Sequence, residues 1–235
     1  MLLGVEGIDF FVGKTHILRS VSLQVEPGEI VGLLGRNGAG KSSILKSIMG
    51  LYHPQQGTIR FKDQPITKAP TRQRVLQGLA YAPEDARVFP ELSVKENISL
   101  GMWVAEASAG GGGFQPERGF EIFPKLQDLW DRRGGNLSGG EKKMVSITRA
   151  LALSPSLLLL DESFEGLAPL VVRHFMEAMR RIRDLGISII LAESNLANAS
   201  LVVERAYVVE RGEILFAGTP REIAGDEKLC TIIGR

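Results

Sequence analysis

The chain has 235 residues, room for one or two domains at roughly 150 residues each and for a real hydrophobic core. Its 28 Lys and Arg against 27 Asp and Glu leave a formal charge of +1, which removes the basic footprint of a duplex nucleic-acid binder. A single cysteine, Cys230, excludes an intrachain disulfide and a cysteine-rich metal site. With no basic segment leading into an apolar stretch at the start and no apolar run near the ~18 residues of a membrane span, the chain is expected to be soluble by itself.

In chain order, Ser22-Leu23-Gln24-Val25 with a turn at Pro27-Gly28 predicts an antiparallel β addition near the start. Ile30–Leu34 is a short apolar strand followed at once by a glycine loop, after which Ile44, Leu45, Ile48 and Met49 recur at helical spacing. Residues 93–103 and 116–130 read as helices. Between them, residues 109–114 have the composition of a flexible connector. From residue 156 onward strands alternate with helices: strand 157–160, helix 169–185, strand 187–191, a short helix 195–201, then strands 206–209 and 213–216 around Arg211-Gly212. That alternation argues for an α/β fold with a mainly parallel sheet covered on both faces.

The 27 glycines concentrate at 32–40, 110–113 and 134–140. The first cluster contains Gly35-Arg36-Asn37-Gly38-Ala39-Gly40-Lys41-Ser42, which fits GxxxxGK(S/T) between a strand and a helix, the context the motif requires. Glycine permits the turn and the close approach of an anion. Backbone N–H groups of the loop and of the following helix start at Lys41, Ser42 and Ser43 converge on phosphate. Lys41 reaches the β and γ phosphates, and the Ser42 hydroxyl can ligate Mg²⁺. A plain glycine-rich βα turn explains Gly35 or Gly40 but gives no reason for Lys-Ser behind them.

Leu157-Leu158-Leu159-Leu160-Asp161-Glu162 is a buried strand ending in two carboxylates. In a parallel sheet they emerge on the edge that carries the phosphate loop, where Asp161 is expected to hold Mg²⁺ and Glu162 to orient or deprotonate the attacking water. Asn136-Leu137-Ser138-Gly139-Gly140-Glu141 opens a helix running to about Leu153. Ser138 with Glu141 is a capping box. Two glycines in the first turn cost about 1 kcal/mol each relative to alanine, and bare backbone donors there suit a phosphate.

Phosphate loop, LSGGE and LLLLDE, in that order and spacing, resemble the nucleotide-binding subunit of an ATP-binding cassette (ABC) transporter over essentially the whole chain. The resemblance implies a P-loop NTPase fold with a RecA-like core (1–84 and 154–235), antiparallel β additions and an inserted helical subdomain (85–153). It also implies that Ser138, Gly139 and Gly140 contact the γ-phosphate of ATP held by an opposite subunit, so that two ATPs are sandwiched in a homodimer or heterodimer. Tyr81-Ala82-Pro83-Glu84-Asp85-Ala86-Arg87-Val88-Phe89-Pro90, Glu165-Gly166-Leu167-Ala168-Pro169 and Ala192-Glu193-Ser194-Asn195 resemble the branched-chain amino acid importer branch with its urea and amide relatives, in particular its short second ATPase. The implied setting is peripheral, on the cytoplasmic face of the inner (plasma) membrane. Transmembrane permease subunits dock near Glu84 to Leu92, where Val88, Phe89 and Leu92 form an apolar patch, and a periplasmic or extracellular solute-binding protein acts indirectly. No nucleic acid partner is expected.

Several positions depart from the family pattern. Glu84 stands where most members carry glutamine, and as a carboxylate it can still ligate Mg²⁺. Val12 occupies the slot of the aromatic residue that stacks on adenine, with Phe10 or Phe11 from a shifted register as substitutes. Ser163 replaces a proline and Ala168 an aspartate. Ser194 replaces the histidine that bridges to the γ-phosphate, so either an ordered water fills the gap, or Glu193 or Asn195 moves in, or hydrolysis is slow. His16, His53 and His174 are expected at the surface or in caps, and Trp103 and Trp130 in packing. The leading expectation is an ATP-hydrolysing motor subunit. The alternatives are an ATP-binding, weakly hydrolysing regulatory partner of another ABC ATPase and, disfavoured by the near-neutral charge, a nucleic-acid mechanoenzyme.

Overall fold

A computed structural model describes residues 1–107, 114–162, 164 and 166–234. In chain order it comprises β1 (Leu3–Val12), β2 (Thr15–Val25), β3 (Ile30–Leu34), α1 (Lys41–Met49), β4 (Gln56–Phe61), β5 (Gln64–Pro65), α2 (Thr71–Leu76), β6 (Leu79–Ala82), α3 (Val94–Glu106), α4 (Pro116–Ile122) and α5 (Lys125–Asp128). A 3-10 turn at Gly134–Asn136 precedes α6 (Gly139–Leu151), β7 (Leu157–Asp161), α7 (Pro169–Asp184), β8 (Ser188–Glu193), α8 (Leu196–Ala199), β9 (Arg205–Glu210), β10 (Glu213–Gly218), α9 (Pro220–Gly225) and α10 (Glu227–Ile233). The expected α/β class is the one observed.

Two sheets form. An antiparallel sheet runs β2-β1-β4-β5, and a six-stranded sheet runs β10-β9-β3-β8-β7-β6 with every pair parallel except β9 with β10. Alternation along the parallel strands assigns side chains to opposite layers. Ile30, Leu34, Leu158, Leu160, Ile189 and Leu191 face the cluster that includes α6 and α7, whereas Val31, Leu33, Leu157, Leu159, Ile190 and Ala192 face α1 and the antiparallel sheet. Burial on both faces is why these strands are continuous apolar runs rather than alternating ones.

Register aligns the strand ends that matter. Leu34 pairs with Glu193, Asp161 with Ala192, and Ala82 with Leu160, so the residues following β3, β6, β7 and β8 leave the same carboxyl edge of the sheet. Behind that edge, α1 is anchored by the buried guanidinium of Arg74, which donates to Ser47 O at 2.8 Å and Ile48 O at 2.7 Å and so satisfies carbonyls at the helix C-terminus. Burial lowers the Arg74 pKa to about 10.

Two sequence expectations are corrected. The helix over 116–130 is broken between α4 and α5 at Phe123 (φ −128°, ψ 85°), because the ring of Pro124 excludes the preceding residue from the helical region. Trp103, expected in packing, is 60 % exposed; the apolar spacing of α3 does not distinguish a face turned to the core from one turned outward. Trp130 does pack, edge-on to Phe120. Most of the expected connector at 109–114 lies outside the described residues, as do Ser163 and Glu165; Phe114 is described and buried.

Candidate active site

The phosphate loop adopts the backbone that its glycines predict: Gly38 and Gly40 have φ of 81° and 112°. A side chain at Gly35 would strike Val209 O at 2.2 Å, so the loop lies against β9. α1 starts at Lys41 with no side-chain cap and no acidic residue in its first turn, leaving backbone donors directed at the loop interior. The resulting cleft has a volume of about 510 Å³ and is lined by Gly38, Gly40, Lys41, Ser42, Ser43 and Glu162 together with His16, Ile17, Arg19, Arg211 and Gly212. Asn37 and Ala39 complete the loop, Ala39 O accepting from Gly212 N at 2.8 Å.

Lys41, 2 % exposed, donates to Gly35 O at 2.8 Å and Arg36 O at 3.1 Å and pairs with Glu162 Oε1 at 3.0 Å. Ser42 donates its hydroxyl to Asp161 Oδ1 at 2.8 Å, and Tyr81 donates to Asp161 Oδ2, also at 2.8 Å. Burial, then the Asp161 charge and hydrogen bond, push the Tyr81 phenol well above its ordinary value, so it remains a donor. The structure therefore brings Lys41, Ser42, Asp161 and Glu162 into one arrangement.

Glu84, in contrast, is exposed beyond the end of β6, and among the described residues no group of three or more His, Cys, Asp or Glu side chains is arranged to hold a metal ion. Ser42 and Asp161 already share a hydrogen bond where a hydroxyl and a carboxylate would flank a hard cation.

Ser194 is half-buried and lines a cavity of about 190 Å³ with Asn195, Cys230 and Ile233. Asn195 is committed to capping α8 through Asn198 N at 2.9 Å. Glu193 is the neighbour turned inward: 2 % exposed, it accepts from Phe164 N at 3.1 Å. Burial raises its pKa to about 7, with the Phe164 hydrogen bond opposing, Glu162 adding to the rise and Lys143 and Lys41 opposing it.

Val12 is 60 % exposed. Phe10 is buried in a stack on Tyr52 with ring centroids 4.6 Å apart, and Phe11 stacks on His16 at 4.0 Å, so neither ring stands free beside Val12. His16 is also bonded to Asp9 at 2.7 Å; His53 and His174 are exposed.

Ser138 caps α6 in a reciprocal box with Glu141, donating Ser138 N to Glu141 Oε2 at 2.8 Å. Gly139 faces open space. Ser138, Gly139 and Gly140 do not line the phosphate cleft of their own chain.

Motif reading did not single out Tyr81, Lys143 and Arg211 as site residues, and it named Glu193 only as a possible substitute for Ser194. Tyr81 and Glu193 lie at strand ends next to known positions, which is the signal that was available. Lys143 donates to Glu162 O at 2.8 Å from α6, a contact that only helix packing creates.

Comparison with known proteins adds three findings. A family model described as "ABC transporter" matches residues 18–165. The high-affinity branched-chain amino acid transport ATP-binding protein BraG of Pseudomonas aeruginosa is 35 % identical over 97 % of both chains, and the lipopolysaccharide export system ATP-binding protein LptB of Escherichia coli K12 is 36 % identical over 90 % of this chain and 88 % of its own. A solved ADP conformation of an ATP-binding cassette of an ABC transporter superposes with a TM-score of 0.85 at 26 % identity, covering all of this chain and 99 % of the other.

Proposed function

Since the chain belongs to the ABC transporter family and is an ATP-hydrolysing subunit that works with transmembrane permeases, we propose that it powers the import of branched-chain amino acids or related small solutes such as urea and amides. The observation carrying the solute class and direction is the end-to-end match to BraG, 97 % of each chain; the LptB relatives make lipopolysaccharide export the competing reading.

In the proposed chemistry, Gly35, Asn37, Gly38, Ala39, Gly40, Lys41, Ser42 and Ser43 bind the phosphates, and Val12 borders the base. Lys41 leaves Glu162 for the β and γ phosphates. Ser42, Asp161 and Glu84 would hold Mg²⁺, which would supply charge neutralisation on the phosphates. Glu162, freed from Lys41, orients and deprotonates the attacking water. Ser138, Gly139 and Gly140 serve the nucleotide of the opposite subunit in the dimer, in keeping with their place outside the phosphate cleft of their own chain. Ser194 is too short to reach the γ-phosphate directly, so an ordered water bridges it or Glu193 beside it takes the role.

Residues 85–153 form the helical subdomain in this reading. The permease docks beside Glu84 to Leu92, where Phe89 is 51 % exposed, and extends along a groove of about 450 Å³ between α2 and α3 lined by Leu76, Leu100, Trp103 and Val104. No described helix is long and apolar enough to cross a membrane. In this reading the chain attaches to the membrane through the permease, peripherally on the cytoplasmic face, and engages a solute-binding protein only indirectly.

Uptake of radiolabelled leucine and urea by cells carrying the native chain or Glu162→Gln tests the solute class. Loss of uptake in the variant supports import. Normal uptake with lipopolysaccharide retained in the inner membrane refutes it in favour of export.

A further inference from the structure

Glu162 is held at φ +43°, a left-handed conformation that a residue with a side chain rarely adopts and that persists only where its surroundings enforce it. Its N–H donates to Ala192 O at 3.0 Å. Its carbonyl accepts Lys143 Nζ at 2.8 Å. Two residues on, Phe164 N–H donates to the buried Glu193 carboxylate at 3.1 Å, and the Phe164 ring packs edge-on to Phe175.

These contacts differ in what nucleotide does to them. Lys41, the 3.0 Å partner of the Glu162 carboxylate, is drawn off by phosphates, so the side chain loses that partner at the moment it must address a water. Lys143 grips the main chain and loses nothing. It comes from α6, four residues beyond Gly139 and therefore one turn along the same helix face. A methyl group at Gly140 would lie 3.5 Å from both Leu167 and Val171, so the start of α6 also packs on the segment that follows Glu162.

We propose that Lys143 is a positioning residue for hydrolysis: from the helix that offers its N-terminus to the opposite subunit's ATP, its ammonium fixes the strained Glu162 peptide and aims the carboxylate once Lys41 has gone to the phosphates. The proposal rests on Glu162 being the base. It makes Lys143 matter for turnover and not for nucleotide capture, because Lys143 is not part of the cleft lining.

The test uses the full chain as Lys143→Met, which keeps the stem and removes the donor, and Lys143→Arg, which restores a cation. Trinitrophenyl-ATP titration, Mg²⁺-ATP turnover and thermal unfolding are measured for each. The expected result is a fall in kcat of about tenfold in Lys143→Met, affinity within about twofold of native, and recovery of most of the turnover in Lys143→Arg. Unchanged kcat in Lys143→Met overturns the proposal. So does an equal loss in both variants, or a loss that follows a lowered unfolding temperature without rescue. Failure of the underlying reading is a separate outcome, visible as native turnover that survives Glu162→Gln.

Discussion

The Lys41 ammonium and the Glu162 carboxylate face each other at 3.0 Å, with side chains 2 % and 8 % exposed. Without nucleotide each neutralises the other in a site too buried for water to do so. In the proposed function phosphate competes with Glu162 for Lys41, so that binding of substrate would release the base. Lys41→Met should lower trinitrophenyl-ATP affinity by at least about tenfold. It should also destabilise the nucleotide-free chain by on the order of 3 kcal/mol, because a buried carboxylate loses its partner. Native affinity in that variant contradicts the phosphate-loop assignment.

Tyr81 and Ser42 take the two oxygens of Asp161, both at 2.8 Å. A carboxylate held from two sides presents a fixed geometry to a cation. Tyr81→Phe should therefore raise the Mg²⁺ concentration needed for half-maximal ATP turnover by roughly three- to tenfold while leaving Mg²⁺-free nucleotide affinity unchanged. Equal shifts in both quantities would remove Tyr81 from the cation site.

Glu193 carries a pKa raised from 4.5 to about 7, mainly by burial. Between those values the folded chain keeps a proton that the unfolded chain releases, so this contribution is fully present below about pH 4.5 and is lost as pH rises through 7. Glu193→Gln preserves an acceptor for Phe164 N but does not titrate. Urea unfolding of the nucleotide-free chain should show the variant gaining on the native protein from pH 5 to pH 8.5, by on the order of 3 kcal/mol. A pH-independent difference contradicts the buried, proton-holding carboxyl.

Gly139 begins α6 with open space where a Cβ would sit. Gly139→Ala should leave the unfolding temperature unchanged or higher, since alanine favours the helix by up to about 1 kcal/mol. Turnover should nonetheless fall by roughly tenfold or more if the bare donors serve the opposite subunit's phosphate. Native turnover in Gly139→Ala would leave the glycine without that role.

What was legible in the sequence follows from how far apart in the chain each feature is written. Gly35 to Ser42 and Leu157 to Glu162 carry their context on both sides, strand before and turn after, so element and chemistry are read together. Ser138 with Glu141 is equally local, and the capping box forms as expected. Tyr81 beside Asp161, Glu193 beside Phe164 and Lys143 beside Glu162 exist only because β6, β7 and β8 align in register and α6 packs beneath them. The helix break at Phe123 was written in Pro124 and outweighed by apolar spacing. The exposure of Trp103 was not written locally at all, because an apolar face turned to a partner has the same period as one turned to the core.

The central claim is that Glu162 is the catalytic base released from Lys41 by ATP, and Glu162→Gln tests it most directly. The amide keeps the shape and gives up the proton-accepting charge. Turnover of Mg²⁺-ATP should fall by about a hundredfold or more, while trinitrophenyl-ATP affinity stays at the native value or tightens, since Lys41 no longer has a carboxylate to leave. Turnover within about twofold of native would contradict the account.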